Sequence, residues 1–166
     1  MVDASSGRTG DTVRVTPKKL FTVFAIAEAI TWTLLIVGLI LKYVTQTTEV
    51  GVRVGGGIHG FVFLTYCVVT VLVGTSQRWP LGRTILGLFS AVIPYATIPF
   101  EIDARRRGLL DGDWQLGRGG RAPRNWFERL CAWAIAHPLL AVVVGLLGVA
   151  LLFTVLLMLG PPIPKG

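Results

Sequence analysis

The stretch "LFTVFAIAEAITWTLLIVGLIL", residues 20–41, holds a single charged side chain, Glu28, in a run that is otherwise apolar or weakly polar. A helix rises about 1.5 Å per residue, so about 20 such residues cross a hydrocarbon core roughly 30 Å thick, where backbone groups must bond one another. The preceding "MVDASSGRTGDTVRVTPKK" is mixed in charge, and the run is longer than the core of a secretory leader. A retained membrane span is therefore predicted.

Working outward, three more stretches meet the same test: about Gly56 to Gly74, Leu81 to Phe100 and Leu139 to Gly160. The whole chain agrees, with 52% hydrophobic residues in 166 and a mean hydropathy of +0.66, too apolar for a soluble domain of this size. The fold class expected is an all-α integral membrane protein: a three-helix transmembrane core, a linker, an interfacial helix and a fourth transmembrane helix. The boundaries predicted are a polar tail 1–19, a core 20–103, an Arg/Gly-rich linker 104–124, an amphipathic helix 125–137, a fourth span 138–160 and a short tail 161–166.

The net charge of +7 lies almost wholly beside the spans, where cations meet lipid head groups, so the bilayer rather than nucleic acid is the expected partner. Lys42, Tyr43, Trp79, Trp126 and Trp133 fall where interfacial anchors belong. In the amphipathic stretch Trp126, Phe127, Leu130 and Trp133 share one arc, and Asn125 with Glu128 resembles a capping box. Pro138 follows as a breaker. With four crossings, Lys and Arg divide seven against nine between the two sides, and comparing the flanks of each span leans towards a cytoplasmic linker.

A carboxylate in hydrocarbon is costly, so Glu28 should face protein, water or a partner in protonated form. Counting depth along antiparallel helices places Tyr66 and Ser90 level with Glu28, and Tyr95 and Thr97 level with His59. The same count puts Glu28 and His59 about 12 Å apart in depth, too far for a direct pair. Two readings of His59 follow, an interhelical hydrogen bond or a proton or ligand role. Gly56 and Gly60 flank it in a GxxxG spacing that permits close backbone contact. Pro94 and Pro99 should bend or end the third span, freeing carbonyls near Glu101 and Asp103. His137 reads as an anchor, and Cys67 and Cys131 as packing residues in no metal-ligand spacing.

Several of these segments carry a resemblance. "AEAITW", "LKY", "GGIHGFVFLTY" and "IPYATIPFE" are similar to the bacterial membrane family called domain of unknown function 3817, over about residues 18–103. The resemblance maps the family's recurring positions onto Glu28, Lys42, Tyr43, His59, Gly60 and Pro94. It implies a three-helix core in a bacterial plasma membrane and no particular activity; the remainder is an extension outside the pattern.

The sequence holds no nucleophile paired with a base, no metal triad and no phosphate loop, so neither an enzyme nor a cofactor or metal site is expected. The first functional expectation is an accessory, assembly or stabilising subunit of a larger membrane complex, with a membrane-protein partner. Ala141 and Gly145 lie on small-residue faces suited to docking. The alternative is a small proton or solute carrier or channel, a homo-oligomer built on Glu28, His59 and Tyr66.

Overall fold

In the computed structural model, residues 15–117 and 119–159 are described; 1–14 and 160–166, which include most of the expected first tail and all of the last, lie outside them. The described residues form helices joined by turns and loops, and the chain divides into two compact units, one up to Trp114 and one from Gln115 onward.

The first unit begins with a capped helix. Thr16 accepts a hydrogen bond from the Lys19 backbone N–H, and Pro17 takes the first helical position, where its missing N–H costs nothing. Helix α1 runs Pro17–Leu39 and continues as a π-helical segment, Ile40–Val44. A tight connection with Gln46 at φ 52° leads into α2, Val50–Ser76. Pro17–Val44 and Val50–Ser76 are each long and apolar enough to cross a bilayer.

The expected third span is not one helix. Helix α3, Leu81–Val92, ends before Pro94, and α4, Thr97–Arg106, starts after a turn in which Tyr95 takes φ 65°. Pro99 falls in the first turn of α4, where it displaces no helical hydrogen bond. The chain reverses there. Arg83 of α3 pairs with Asp103 of α4, and the Arg83 guanidinium lies 4.9 Å from the Phe100 ring centre. A Cβ on Gly87 would meet the Phe100 ring at 3.0 Å, so the missing side chain lets the two arms close. Residues 81–106 thus form a helical hairpin. Its turn sits beside α1, where Tyr95 contacts Thr33 and Trp32 donates to the Ala91 carbonyl at 3.2 Å.

A Schellman motif ends α4, with Gly108 at φ 69° donating to Arg105 and Leu109 donating to Ala104. The start of the expected linker then packs onto the first unit rather than standing in solvent. Leu110 is buried, and Trp114 donates to the Val15 carbonyl at 2.8 Å.

Around this end lies the core. Phe21 centres a ring cluster with Tyr66, Trp79 and Phe100 at 5.5–6.0 Å. Trp79, expected as an interfacial anchor, is 7% exposed and donates to the Leu109 carbonyl at 2.9 Å. Its neighbour Arg78 takes a left-handed conformation (φ 57°) in the connection between α2 and α3.

In the second unit, Asn125 caps α5, Trp126–Ala136, by accepting from the Glu128 N–H at 2.8 Å. Glu128 in turn accepts from the Arg121 side chain at 2.6 Å and the Arg124 N–H at 2.7 Å; these bonds depress its carboxyl to a pKa of about 2. Helix α6, Pro138–Leu159, follows at once, and α5 and Pro138–Gly148 meet at 116°. Trp126 is 74% exposed and Trp133 partly so, while Cys131 is buried. The bent pair is a third candidate for crossing.

Candidate functional site

Polar side chains inside an apolar bundle must find partners, and in the first unit they form a layer across its middle. Glu28 of α1 is fully buried. Its Oε2 lies 3.3 Å from the Thr97 hydroxyl, which also lies 3.0 Å from the Ala25 carbonyl. Tyr66 of α2 meets Ser90 of α3 at 3.0 Å, and Ser90 is 2.7 Å from the Gly87 carbonyl. His59 Nδ1 meets the Thr31 hydroxyl at 3.1 Å, and Thr31 is 3.0 Å from the Glu28 carbonyl.

The three arrangements share one logic. A hydroxyl has a single proton, and each of these lies nearest a helix carbonyl whose second lone pair can accept it. Once Thr97, Ser90 and Thr31 give their protons to Ala25, Gly87 and Glu28 carbonyls, each hydroxyl oxygen is left as an acceptor. Tyr66 then donates its phenolic proton to Ser90, and His59 donates Nδ1–H to Thr31. Thr97 is placed to donate to the Ala25 carbonyl or to Glu28 Oε2; with its proton on the nearer carbonyl, a neutral Glu28 carboxylic acid donates to the Thr97 oxygen in return. Among the described residues Glu28 Oε1 has no hydrogen-bond partner.

The pairing differs from the depth count. Thr97 serves Glu28 rather than His59, and Tyr95 contacts Thr33 at 3.2 Å rather than the imidazole. The hairpin explains both, because reversal at Pro94 carries Thr97 back along α1 to the level of Ala25 and Glu28. His59 and Glu28 make no direct contact; they communicate through Thr31 and a backbone carbonyl. Sequence reasoning did not single out Thr31, although its spacing of three from Glu28 on a helix was the available signal. Trp32, four residues beyond Glu28 on the same helix face, places its ring 4.5 Å from the His59 ring.

A second polar group lies where the hairpin opens. Glu101 is buried, accepts from Thr22 at 2.5 Å and takes a forked contact from Arg105 at 2.6 and 2.8 Å. Hydrogen bonds from Arg83 first, then Arg107, hold the neighbouring Asp103 carboxyl below the usual carboxylate range. Lys42 pairs with Glu49 at 3.3 Å near Tyr43, at the far end of the unit. Among the described residues no group of three or more metal-binding side chains comes together.

Apolar crossing-length helices enclosing a hydrogen-bonded polar layer define a small helical membrane protein. Residues 18–106 match the model of the family described as domain of unknown function 3817, and the chain belongs to that family. A Streptomyces coelicolor protein described as a membrane protein is 48% identical over 109 residues, which make up 65% of this chain and 13% of that protein. Uncharacterized proteins of Mycobacterium bovis and Mycobacterium tuberculosis are 33% identical over 63 residues, 38% of this chain and 52% of each relative. The chain thus covers a small part of the first relative and about half the length of the others. No solved structure matches it.

Proposed function

We propose that the protein is a non-enzymatic accessory or stabilising subunit of a larger membrane-protein complex in the bacterial plasma membrane. One observation carries this reading: in the Streptomyces relative the matching segment occupies only 13% of the chain. A module that occurs within a much longer membrane-associated chain in one bacterium is suited to docking beside other membrane-spanning segments. The lipid bilayer is its other partner. In this reading α1, α2 and α6 cross the membrane and the α3–α4 hairpin enters without crossing, in place of four full spans. Open space around Gly145 and Gly148 on α6 would let a partner helix approach closely.

The experiment is extraction in mild detergent followed by native mass measurement and identification of co-migrating chains. A stoichiometric complex with a larger membrane protein is expected. A homo-oligomer alone would remove the accessory reading.

Such a homo-oligomer would favour a second function, a small proton or solute carrier. The observation behind it is Glu28 Oε1, a buried oxygen with no hydrogen-bond partner among the described residues. Buried ionisable groups in membrane helices commonly mark proton pathways.

A further inference from the structure

The ends of the first unit can be sorted by contact. At one end Lys18 reaches Asp111, Thr22 reaches Glu101, and Arg83 pairs with Asp103. At the other end Gly38 of α1 abuts Gly51 of α2. The start of α1, the α2–α3 connection and the exit of α4 therefore share one end, while the α1–α2 connection occupies the other. Had residues 81–100 crossed as one helix, Arg78 and the run Arg105–Arg106–Arg107 would lie on opposite sides. The hairpin cancels that crossing.

Its effect on charge is large. Among the described residues of this unit, Lys18, Lys19, Arg78, Arg83, Arg105, Arg106 and Arg107 gather at the hairpin end, against Lys42 and Arg53 near the other. Acidic partners do not discount the comparison, because Asp and Glu contribute little to the positive-inside rule. Lys19, Arg78 and Arg106 are exposed and have no ion pair among the described residues. Cations at the end of a membrane bundle meet phosphate-bearing head groups, and the cytoplasmic leaflet carries the anionic ones.

We propose that the hairpin end faces the cytoplasm and that its basic rim, through Lys19, Arg78 and Arg106, docks on anionic phospholipid head groups of that leaflet. The near-even charge division of a four-span reading then becomes a strong asymmetry. Both the start of α1 and the exit of α4 are cytoplasmic, and the α1–α2 connection is outside.

The test uses the full chain with Cys67→Ser and Cys131→Ser, carrying one new cysteine at Thr48, Gln77 or Asp113. A membrane-impermeant maleimide applied to intact cells should label Thr48→Cys, and should reach Gln77→Cys and Asp113→Cys only after permeabilisation. Gln77→Cys and Asp113→Cys on opposite sides would overturn the hairpin; both labelled in intact cells would overturn the orientation. For docking, the purified protein is reconstituted in phosphatidylcholine bilayers with and without phosphatidylglycerol. The wild type should unfold at higher temperature with phosphatidylglycerol, and Lys19→Gln/Arg78→Gln/Arg106→Gln should lose that rise while Lys42→Gln keeps it. No rise in the wild type, or an undiminished rise in the triple variant, would overturn the docking surface.

Discussion

The two halves of α1 are held in different ways. From Pro17 to Thr33 the helix has α2 on one side and the hairpin on another, and its contacts are side chains: the Phe21 ring cluster, Thr22 on Glu101, Glu28 on Thr97 and Trp32 on the Ala91 carbonyl. Beyond Thr33 the hairpin has turned back, and α2 is the neighbour that remains. A pair of helices has no interior in which large side chains can be buried. Van der Waals attraction then requires the backbones themselves to approach, and small residues allow it. A Cβ on Gly38 would lie 2.6 Å from the Gly51 carbonyl carbon, and one on Gly55 would lie 3.0 Å from the Leu34 carbonyl oxygen. Polar side chains specify one half of the helix and missing side chains the other.

Breaking the glycine half should have the largest effect. Gly38→Val puts a branched side chain against backbone atoms that cannot rotate away, so the helices must separate. A loss on the order of 3 kcal/mol, at the upper end of overpacking costs, should appear as a large drop in thermal stability in detergent. Gly60→Ala is the control, since a Cβ there meets nothing within 4 Å. Equal damage from the two substitutions would refute the seam.

The polar half should yield next at Glu101. Glu101→Leu leaves the Thr22 hydroxyl and the Arg105 guanidinium without their acceptor. Arg105 is about half exposed and can turn to water, so the cost falls below that of a fully buried pair, at about 1–2 kcal/mol. The same melting assay reads it, and Glu101→Gln should recover part of the loss through its remaining carbonyl oxygen. An unchanged melting temperature in Glu101→Leu would show that this end is held by the ring cluster alone.

These two regions were unequally legible in the sequence. Length and apolarity alone identify α1 and α2, because hydrocarbon admits few alternatives to a helix. Residues 81–100 pass the same length test, yet Pro94 allows a reversal that only Arg83 with Asp103 and Gly87 with Phe100 make stable. Those contacts bring together residues 20 and 13 positions apart, beyond the reach of any local periodicity. The glycine seam was half visible. Gly51, Gly55, Gly56, Gly57 and Gly60 offer overlapping small-residue spacings, and choosing among them requires knowing which face of α2 meets α1. Gly56 with Gly60 is the wrong face: only a Leu35 side-chain atom comes near Gly56. Glu28, Tyr66 and His59 were conspicuous as polar residues among apolar ones, while their partners depended on the hairpin.

A smaller effect is expected at His59, where the loss is one membrane hydrogen bond. His59→Leu removes the donor to Thr31 and should cost on the order of 1 kcal/mol, in line with modest values for such bonds. His59→Gln retains an N–H donor and should lose less. If both variants melt alike and below the wild type, the contact with the Trp32 ring, rather than the bond to Thr31, holds the imidazole.

The smallest stability change should come from Glu28→Gln. Thr97 has one proton, and the nearer Ala25 carbonyl takes it, so the residue at position 28 must supply a donor if the 3.3 Å contact is a hydrogen bond. A neutral carboxylic acid does so, and so does an amide of nearly the same shape. The melting temperature should therefore stay close to that of the wild type, whereas Glu28→Leu should lower it through the bond lost to Thr97, a cost of about 1 kcal/mol in stability. A carboxylate ionised in the folded protein would behave otherwise, because the amide would then bring a donor where only an acceptor had been accommodated. Growth of a deletion strain carrying Glu28→Gln separates the two functional readings. An accessory subunit needs only the shape and the hydrogen bond and should complement fully. A carrier needs a group that gains and loses a proton, which an amide cannot do, so a stable Glu28→Gln protein that fails to complement would replace the subunit reading with the carrier.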